Sequence, residues 1–229
     1  MDDAAAELRI LTYNIRSLRD DRQAVARVMA ASTPDVVCVQ EAPRFLGGRR
    51  RCRELAAASG LKMITGGRPA AAMLLLGHPD LPVLATRDVR LTKAPRLHQR
   101  GLAIAVVEVL GIRLTVASMH LDLDAAERAR HAEEVLAALG DFPDPLVLAG
   151  DVNEEPGNPA WSILTDRLQD AYAVAPVGPP ETSSALRPTR RIDGIFVDRR
   201  LRVVSCGVPE HAELARASDH RPVLAVLAR

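Results

Sequence analysis

Lysine is almost missing from this chain: of its 30 basic residues only Lys62 and Lys93 are lysines, and arginine supplies the rest. Arginine is the better bidentate ligand for phosphate, although an alanine- and arginine-rich composition equally reflects the coding bias of a genome. Aromatics are scarce, at 3%, which argues against a stacking platform for single-stranded nucleic acid. Neither sign of charge dominates, since 30 basic residues face 29 acidic ones. The whole-molecule field therefore gives no reason for an unspecific grip on nucleic acid or an anionic membrane.

Cysteine is also sparse. Cys38, Cys52 and Cys206 are an odd number at no metal-ligand spacing, which suits a reducing compartment better than a disulfide framework. No apolar run approaches the ~18 residues of a membrane span, and the opening MDDAAAELRI has acids where a secretory leader would carry positive charge. A cytoplasmic location is the expectation. The sequence holds no Gly-x-Ser-x-Gly elbow, no phosphate-cradling Gly-Lys-Ser/Thr loop, no Cys/His zinc pattern and no internal repeat, and these absences remove several common chemistries. At 229 residues, with nothing that marks a linker, a single domain over 1–229 with a sizeable core is expected.

What is present is a series of apolar runs that end in polar residues. Leu8 to Ile15 alternates and is rich in branched side chains, as a strand should be, with Asn14 near its end. A helix is expected from Asp20 to Ala31, and a second strand over Asp35 to Gln40 ends at Gln40-Glu41. Arg44, Arg49, Arg50, Arg51 and Arg53 then cluster before a short helix. They read either as a receiver of substrate phosphate or as a solvated face. Strands at Leu61 to Thr65, Ala71 to Leu76 and Leu81 to Leu91 have the spacing of a meander. Gly101 to Leu110 and Ile112 to Met119 suit a hairpin across Gly111, ending at His120, and a helix over Asp124 to Leu139 follows.

Pro145 to Asn158, PLVLAGDVNEEPGN, gives a short buried strand, a glycine that lets the backbone close against a neighbour, and then Asp151 and Asn153 spaced by two so that both can face one point. The same letters also describe a plain polar turn. Trp161 is expected to pack in the core near the site, and Pro176 to Pro188 to be a surface loop. Strands at Arg191 to Val197, Leu201 to Val208 and Val223 to Leu227 complete the chain; Asp193 lies on the first, and Ser218-Asp219-His220 precede the last.

In order, the fragments TYNI (Thr12 to Ile15), QE (Gln40-Glu41), HL (His120-Leu121), GDVN (Gly150 to Asn153), RIDGIF (Arg191 to Phe196) and SDH (Ser218 to His220) resemble the endonuclease/exonuclease/phosphatase superfamily. The resemblance covers residues 8 to 227. It implies an α/β (α+β) fold: a two-sheet, mostly antiparallel β-sandwich flanked by helices, the DNase I-like four-layer sandwich.

By the same resemblance Glu41 is a ligand of a divalent cation, magnesium or alternatively manganese, with Asn14 giving a neutral oxygen nearby and Asp219 a further ligand or the support of a second ion. Hard oxygens and the lack of a thiolate cluster agree with that choice of metal. The resemblance makes His220 the catalytic histidine and Asp193 its carboxylate partner, while Asp151 orients and deprotonates the attacking water. Asn153 and His120 would hydrogen-bond the nonbridging phosphate oxygens, and which histidine is acid and which base stays open. Arg100 resembles a basic substrate-binding position, and Arg44 is the local candidate for a further phosphate contact.

Some nuclease members carry an acid two residues after the Asn of the first motif, where this chain has Arg16. The expectation is thus a divalent-metal-dependent hydrolase of phosphate esters, a phosphodiesterase or nuclease-like enzyme acting by in-line attack of water. The alternatives are a phosphomonoesterase acting on an inositol, lipid-headgroup or nucleotide phosphate, and a non-catalytic binding domain of the same fold. The partners implied are a phosphate-ester substrate, with nucleic acid among the candidates; the sequence implies no protein partner.

Overall fold

The computed structural model describes residues 7–229. Residues 1–6, part of the stretch on which the reading of the N-terminus rests, lie outside the described residues.

The first sheet is built from β1 (Leu8–Asn14), β2 (Val36–Gln40), β3 (Lys62–Gly67), β4 (Met73–Gly77), β10 (Pro176–Val177), β12 (Arg202–Gly207) and β13 (Val223–Ala228), in the order β10-β12-β13-β1-β2-β4-β3. The second contains β5 (Val83–Arg90), β6 (Gly101–Val109), β7 (Ile112–His120), β8 (Leu146–Asp151), β9 (Gln169–Asp170) and β11 (Asp193–Val197), in the order β5-β6-β7-β8-β11-β9. Among the described residues six α-helices join them: α1 (Arg22–Ala31), α2 (Gly48–Ala58), α3 (Ala125–Leu139), α4 (Pro159–Arg167), α5 (Ala171–Val174) and α6 (Leu214–Ala217).

The layering follows from the two-residue repeat of strand side chains. Along β1 and β2, Leu8, Ile10, Val36 and Cys38 point inward and meet Ala103, Ala105, Val116, Val147 and Ile195 of the opposing sheet. Their neighbours Leu11, Tyr13, Val37 and Val39 point outward and pack with Val25, Val28, Met29 and Leu55 of α1 and α2. On the far side Ile104, Ala117, Met119, Leu148 and Phe196 are covered by Ala132, Val135, Trp161 and Leu164 of α3 and α4. Both sheets are apolar on both faces for this reason, and each fully buried Leu, Val or Ile contributes about 1.5–3 kcal/mol. The result is helix, sheet, sheet, helix, as the resemblance implied.

Capping accounts for where α1 and α3 begin. Asp21 accepts from the N–H groups of Gln23 and Ala24 to start α1, and Asp124 does the same for Ala126 and Glu127 at α3. The expected hairpin forms with Val109 opposite Ile112, its two turn residues Leu110 and Gly111 both at positive φ.

Two expectations fail. The meander stops after β4, whose other flank is taken by β2, and β5 pairs with β6 in the other sheet; the β2–β4 pairing joins segments that local spacing does not relate. The loop within Pro176 to Pro188 is not simply on the surface, because Thr182 and Ala185 are fully buried. Trp161 is buried as expected and donates its indole N–H to Asp170 at 3.1 Å. No helix among the described residues is long and apolar enough to cross a membrane.

Candidate active site

Strand direction gathers the polar residues at one edge. β1 and β2 are parallel and both end there, placing Asn14 opposite Gln40, with Glu41 next. β7 and β8 are parallel and end with His120 opposite Asp151, while antiparallel β11 starts with Asp193 opposite the same Asp151. β13, antiparallel to β1, starts just after Asp219 and His220. Gly150 makes this packing feasible, because a Cβ there would collide with the backbone carbonyl of Met119 on β7. Glu41 and Asn153 both adopt left-handed backbone conformations, φ 54 and 59. Asn tolerates this region and Glu does so rarely, so Glu41 is held by its surroundings in a costly geometry of a kind that clusters at functional sites.

At this edge the Asn14 side chain links one sheet to the other. The Asn14 amide nitrogen donates to Asp151 at 3.0 Å and to Glu41 at 3.3 Å, while its oxygen accepts from the Arg16 N–H at 3.1 Å. Asn14 therefore turns its nitrogen toward the carboxylates and spends its oxygen on the backbone, a different arrangement from the oxygen donor expected. Asp151 also accepts from the Asn153 N–H at 2.9 Å. His220 lies between two acids, with Nδ1 2.9 Å from Asp193 and Nε2 3.7 Å from Asp151.

These surroundings set the charges. Burial alone would lower the His220 pKa, but the charge of Asp193 and its hydrogen bond, with Asp151 and Asp219 beyond, raise it to about 10. His220 is an imidazolium. Burial and then the charge of Asp193 push the Asp151 carboxyl up to about 7, against the pull of His220 and the donors Asn14 and Asn153. His120 goes the other way: burial, with Arg100 and His220 close by, holds it neutral. Asn153 donates to His120 Nε2 at 2.9 Å and to the Leu121 carbonyl at 3.0 Å, so the His120 proton is on Nδ1. The 3.3 Å approach of His120 to Asp151 is then a contact of a neutral ring with a carboxyl group, not an ion pair.

Asn14, Glu41, His120, Asp151, Asn153, Asp193 and His220 are thus linked in one connected cluster. Asp219 sits at its rim, with Arg16 Nε 3.3 Å from its carboxylate. Arg100 is buried and pairs with Asp122 at 3.4 Å. Arg44 stands apart from this network, with its guanidinium 5.3 Å from the Phe45 ring centre.

Several residues support the site in ways that the sequence did not assign. Thr182 Oγ1 accepts from the N–H groups of Ile192 and Asp193, and its loop binds back through Ala185 N–H to the Asp219 carbonyl at 2.7 Å. Gln40 and Ser118 bridge the sheets beneath the site at 3.1 Å, and Ser218 Oγ donates to the Asn14 carbonyl at 2.8 Å. Each is an uncharged polar residue whose partner is remote in sequence.

The donor chemistry fits a hard divalent cation. Glu41 Oε1 receives one hydrogen bond, from Asn14, and among the described residues its other oxygen has none. The three cysteines are all buried and free, and none belongs to the cluster. Asp151, Asp193 and His220 also lie close enough to surround an ion. That trio is nevertheless a poor ligand set, because a metal-binding imidazole must be unprotonated and the acids on either side of His220 favour its protonated form. The Glu41 side of Asp151 is the better place for a cation.

The model of the Endonuclease/Exonuclease/phosphatase family matches residues 11–220. A UPF0294 protein of Vibrio vulnificus (strain CMCP6) is 27% identical over 97% of this chain and 77% of its own length. Among solved structures, an endonuclease/exonuclease/phosphatase from Bacteroides vulgatus superposes with a TM-score of 0.81 at 24% identity, covering 96% of this chain and 98% of that one. A Bacteroides thetaiotaomicron mannosyl-6-phosphatase superposes with a TM-score of 0.82 at 18% identity, covering 97% and 100%.

Proposed function

The chain belongs to the Endonuclease/Exonuclease/phosphatase family, and from that premise we propose that it is a divalent-cation-dependent hydrolase of phosphate esters, acting on a phosphodiester by in-line attack of water. The observation that carries this reading is the pair of acids on either side of a protonated histidine, Asp193–His220–Asp151, joined through Asn14 to Glu41. A binding domain without chemistry has no use for carboxylates buried at such cost.

In this reading Asp151 holds the attacking water and takes its proton, a role suited to a carboxyl group raised toward neutrality. His220 presents its Nε2–H to the phosphoryl oxygens where negative charge grows, and Asp193 fixes the ring and its proton. The histidine that carries the proton is His220, not His120. Asn153 and His120 also adjoin Asp151, and a substrate oxygen arriving there takes over the Asn153 amide hydrogen now given to His120. Glu41 is the primary holder of the cation, magnesium or manganese; Asp219 joins it only by giving up Arg16. When bound, the cation supplies Lewis-acid stabilisation of a phosphoryl oxygen.

The test is turnover of a bis-aryl phosphate with magnesium, beside the mono-aryl ester. The diester should turn over faster, and both rates should vanish with chelator and in Glu41→Ala. Full activity in either condition overturns the proposal, and a faster monoester rate replaces the diester reading with a phosphomonoesterase.

A further inference from the structure

A cavity of about 1090 Å³ lies beside the reaction centre, not within it. One wall begins at Pro43, two residues beyond Glu41, and another includes Gln99, next to Arg100. Seven cations line it against a single carboxylate, Asp88. Arg50 pairs with Glu54 at 2.7 Å. The other six, Arg44, Arg49, Arg53, Arg68, Arg90 and Lys93, have no acidic partner among the described residues.

This concentration is unlike the rest of a molecule whose charges nearly cancel and whose other arginines are often paired. Like charges around one void repel each other, and the repulsion is relieved when an anion enters. Local sequence is violated in the same place. α2 starts from Gly47 with no side-chain cap and no acid in its first turn, where arginines face the positive end of the helix dipole. α1 and α3, by contrast, start on aspartate caps. Such breaches of local preference are expected where function sets the residue.

We propose that this basin is a second anion subsite of the reaction centre, and that it selects small phosphate esters carrying at least one phosphate besides the one that reacts. The proposal rests on the phosphoesterase reading for the first phosphate; the basin supplies the grip on the second. Arginine forks give two hydrogen bonds per phosphate, and a void of this size takes a multiply charged headgroup or sugar. A nucleic-acid strand is disfavoured by chemistry: the lining offers one aromatic ring, Phe45, and that ring is already faced by Arg44.

Calorimetric titration with fructose 1,6-bisphosphate and fructose 6-phosphate, without metal, tests the subsite independently of turnover. The bisphosphate should bind about tenfold more tightly or better, as expected for added charge-assisted hydrogen bonds. That preference should largely disappear in Arg53→Ala/Lys93→Ala, both exposed positions whose truncation leaves the core alone, and should survive in Glu41→Ala. Equal affinity for the two sugars, or a preference that the double variant retains, overturns the subsite. A short thymidine oligonucleotide that outbinds the bisphosphate through the same two side chains overturns the small-ester assignment in favour of nucleic acid.

Sedimentation with phosphatidylcholine vesicles, with and without a phosphatidylinositol bisphosphate, separates the sources. Binding only to the bisphosphate vesicles assigns the second phosphate to a lipid headgroup, and none assigns it to a soluble ester; both outcomes support the subsite. Sugar preference without any ester turnover removes the phosphoesterase reading and keeps the anion site, whereas turnover without preference does the reverse.

Discussion

His220 Nδ1 lies 2.9 Å from an Asp193 oxygen, at the start of the strand whose first rung pairs Asp193 with Asp151. The separation of 27 residues is closed across the sandwich, from β11 of one sheet to the segment before β13 of the other, so the histidine is held by an acid that is itself fixed in a strand. The proton on this ring should therefore resist removal. In the metal-free protein the His220 imidazolium is expected to persist above pH 8 and to titrate near 10, as read from ring resonances in NMR. Its folded pKa lies above the ordinary 6.5, so its contribution to stability is complete below 6.5 and lost as pH rises through about 10. Asp151, whose carboxyl is raised from 3.8, opposes stability in a lower window, as pH rises from 3.8 to about 7. Titration of His220 at 6.5 would refute the ion-pair account.

Replacing Asp193 by Asn removes the charge and keeps the shape. The expected result is a fall in kcat of about 10²-fold or more, with KM nearly unchanged and the His220 pKa shifted down. A kcat loss without that shift would mean that Asp193 acts by another route.

Glu41→Gln tests the cation site directly. Binding of magnesium or manganese, followed by calorimetry, should weaken by about tenfold or more, with the melting temperature of the metal-free protein little altered. Unchanged metal affinity would move the site to Asp151 and its neighbours.

Gly150→Ala probes the architecture. The added Cβ meets the Met119 backbone carbonyl, and two paired strands cannot separate without breaking their ladder. A loss of more than about 2 kcal/mol is expected in urea denaturation, with turnover falling along with the folded fraction. A variant of native stability would show that β7 and β8 have room to part.

Residues at strand ends were legible because strands announce themselves by branched apolar runs, and a sheet turns such ends into neighbours. The positions Asn14, Glu41, His120, Asp151, Asn153, Asp193 and His220 were each found that way, and the structure brings them together. Contacts made by remote, unremarkable residues were not legible. Nothing near Thr182 announces that its hydroxyl will hold the N–H of Asp193, and nothing near Asp122 announces the Arg100 pair. The direction of the Asn14 amide depends on three partners at once, so no single motif encodes it. The sheet assignment of β5 and the meeting of Arg53, Arg68 and Lys93 around one void likewise depend on pairings between distant segments.

β13 occupies an interior position, between β12 and β1. Its ladders to Arg202–Gly207 on one side and Leu8–Thr12 on the other occupy both of its flanks, so it offers no free edge to a foreign strand. His220 lies three residues before this strand, so the segment that carries the histidine is tethered to the interior of the sheet and not to a frayed border.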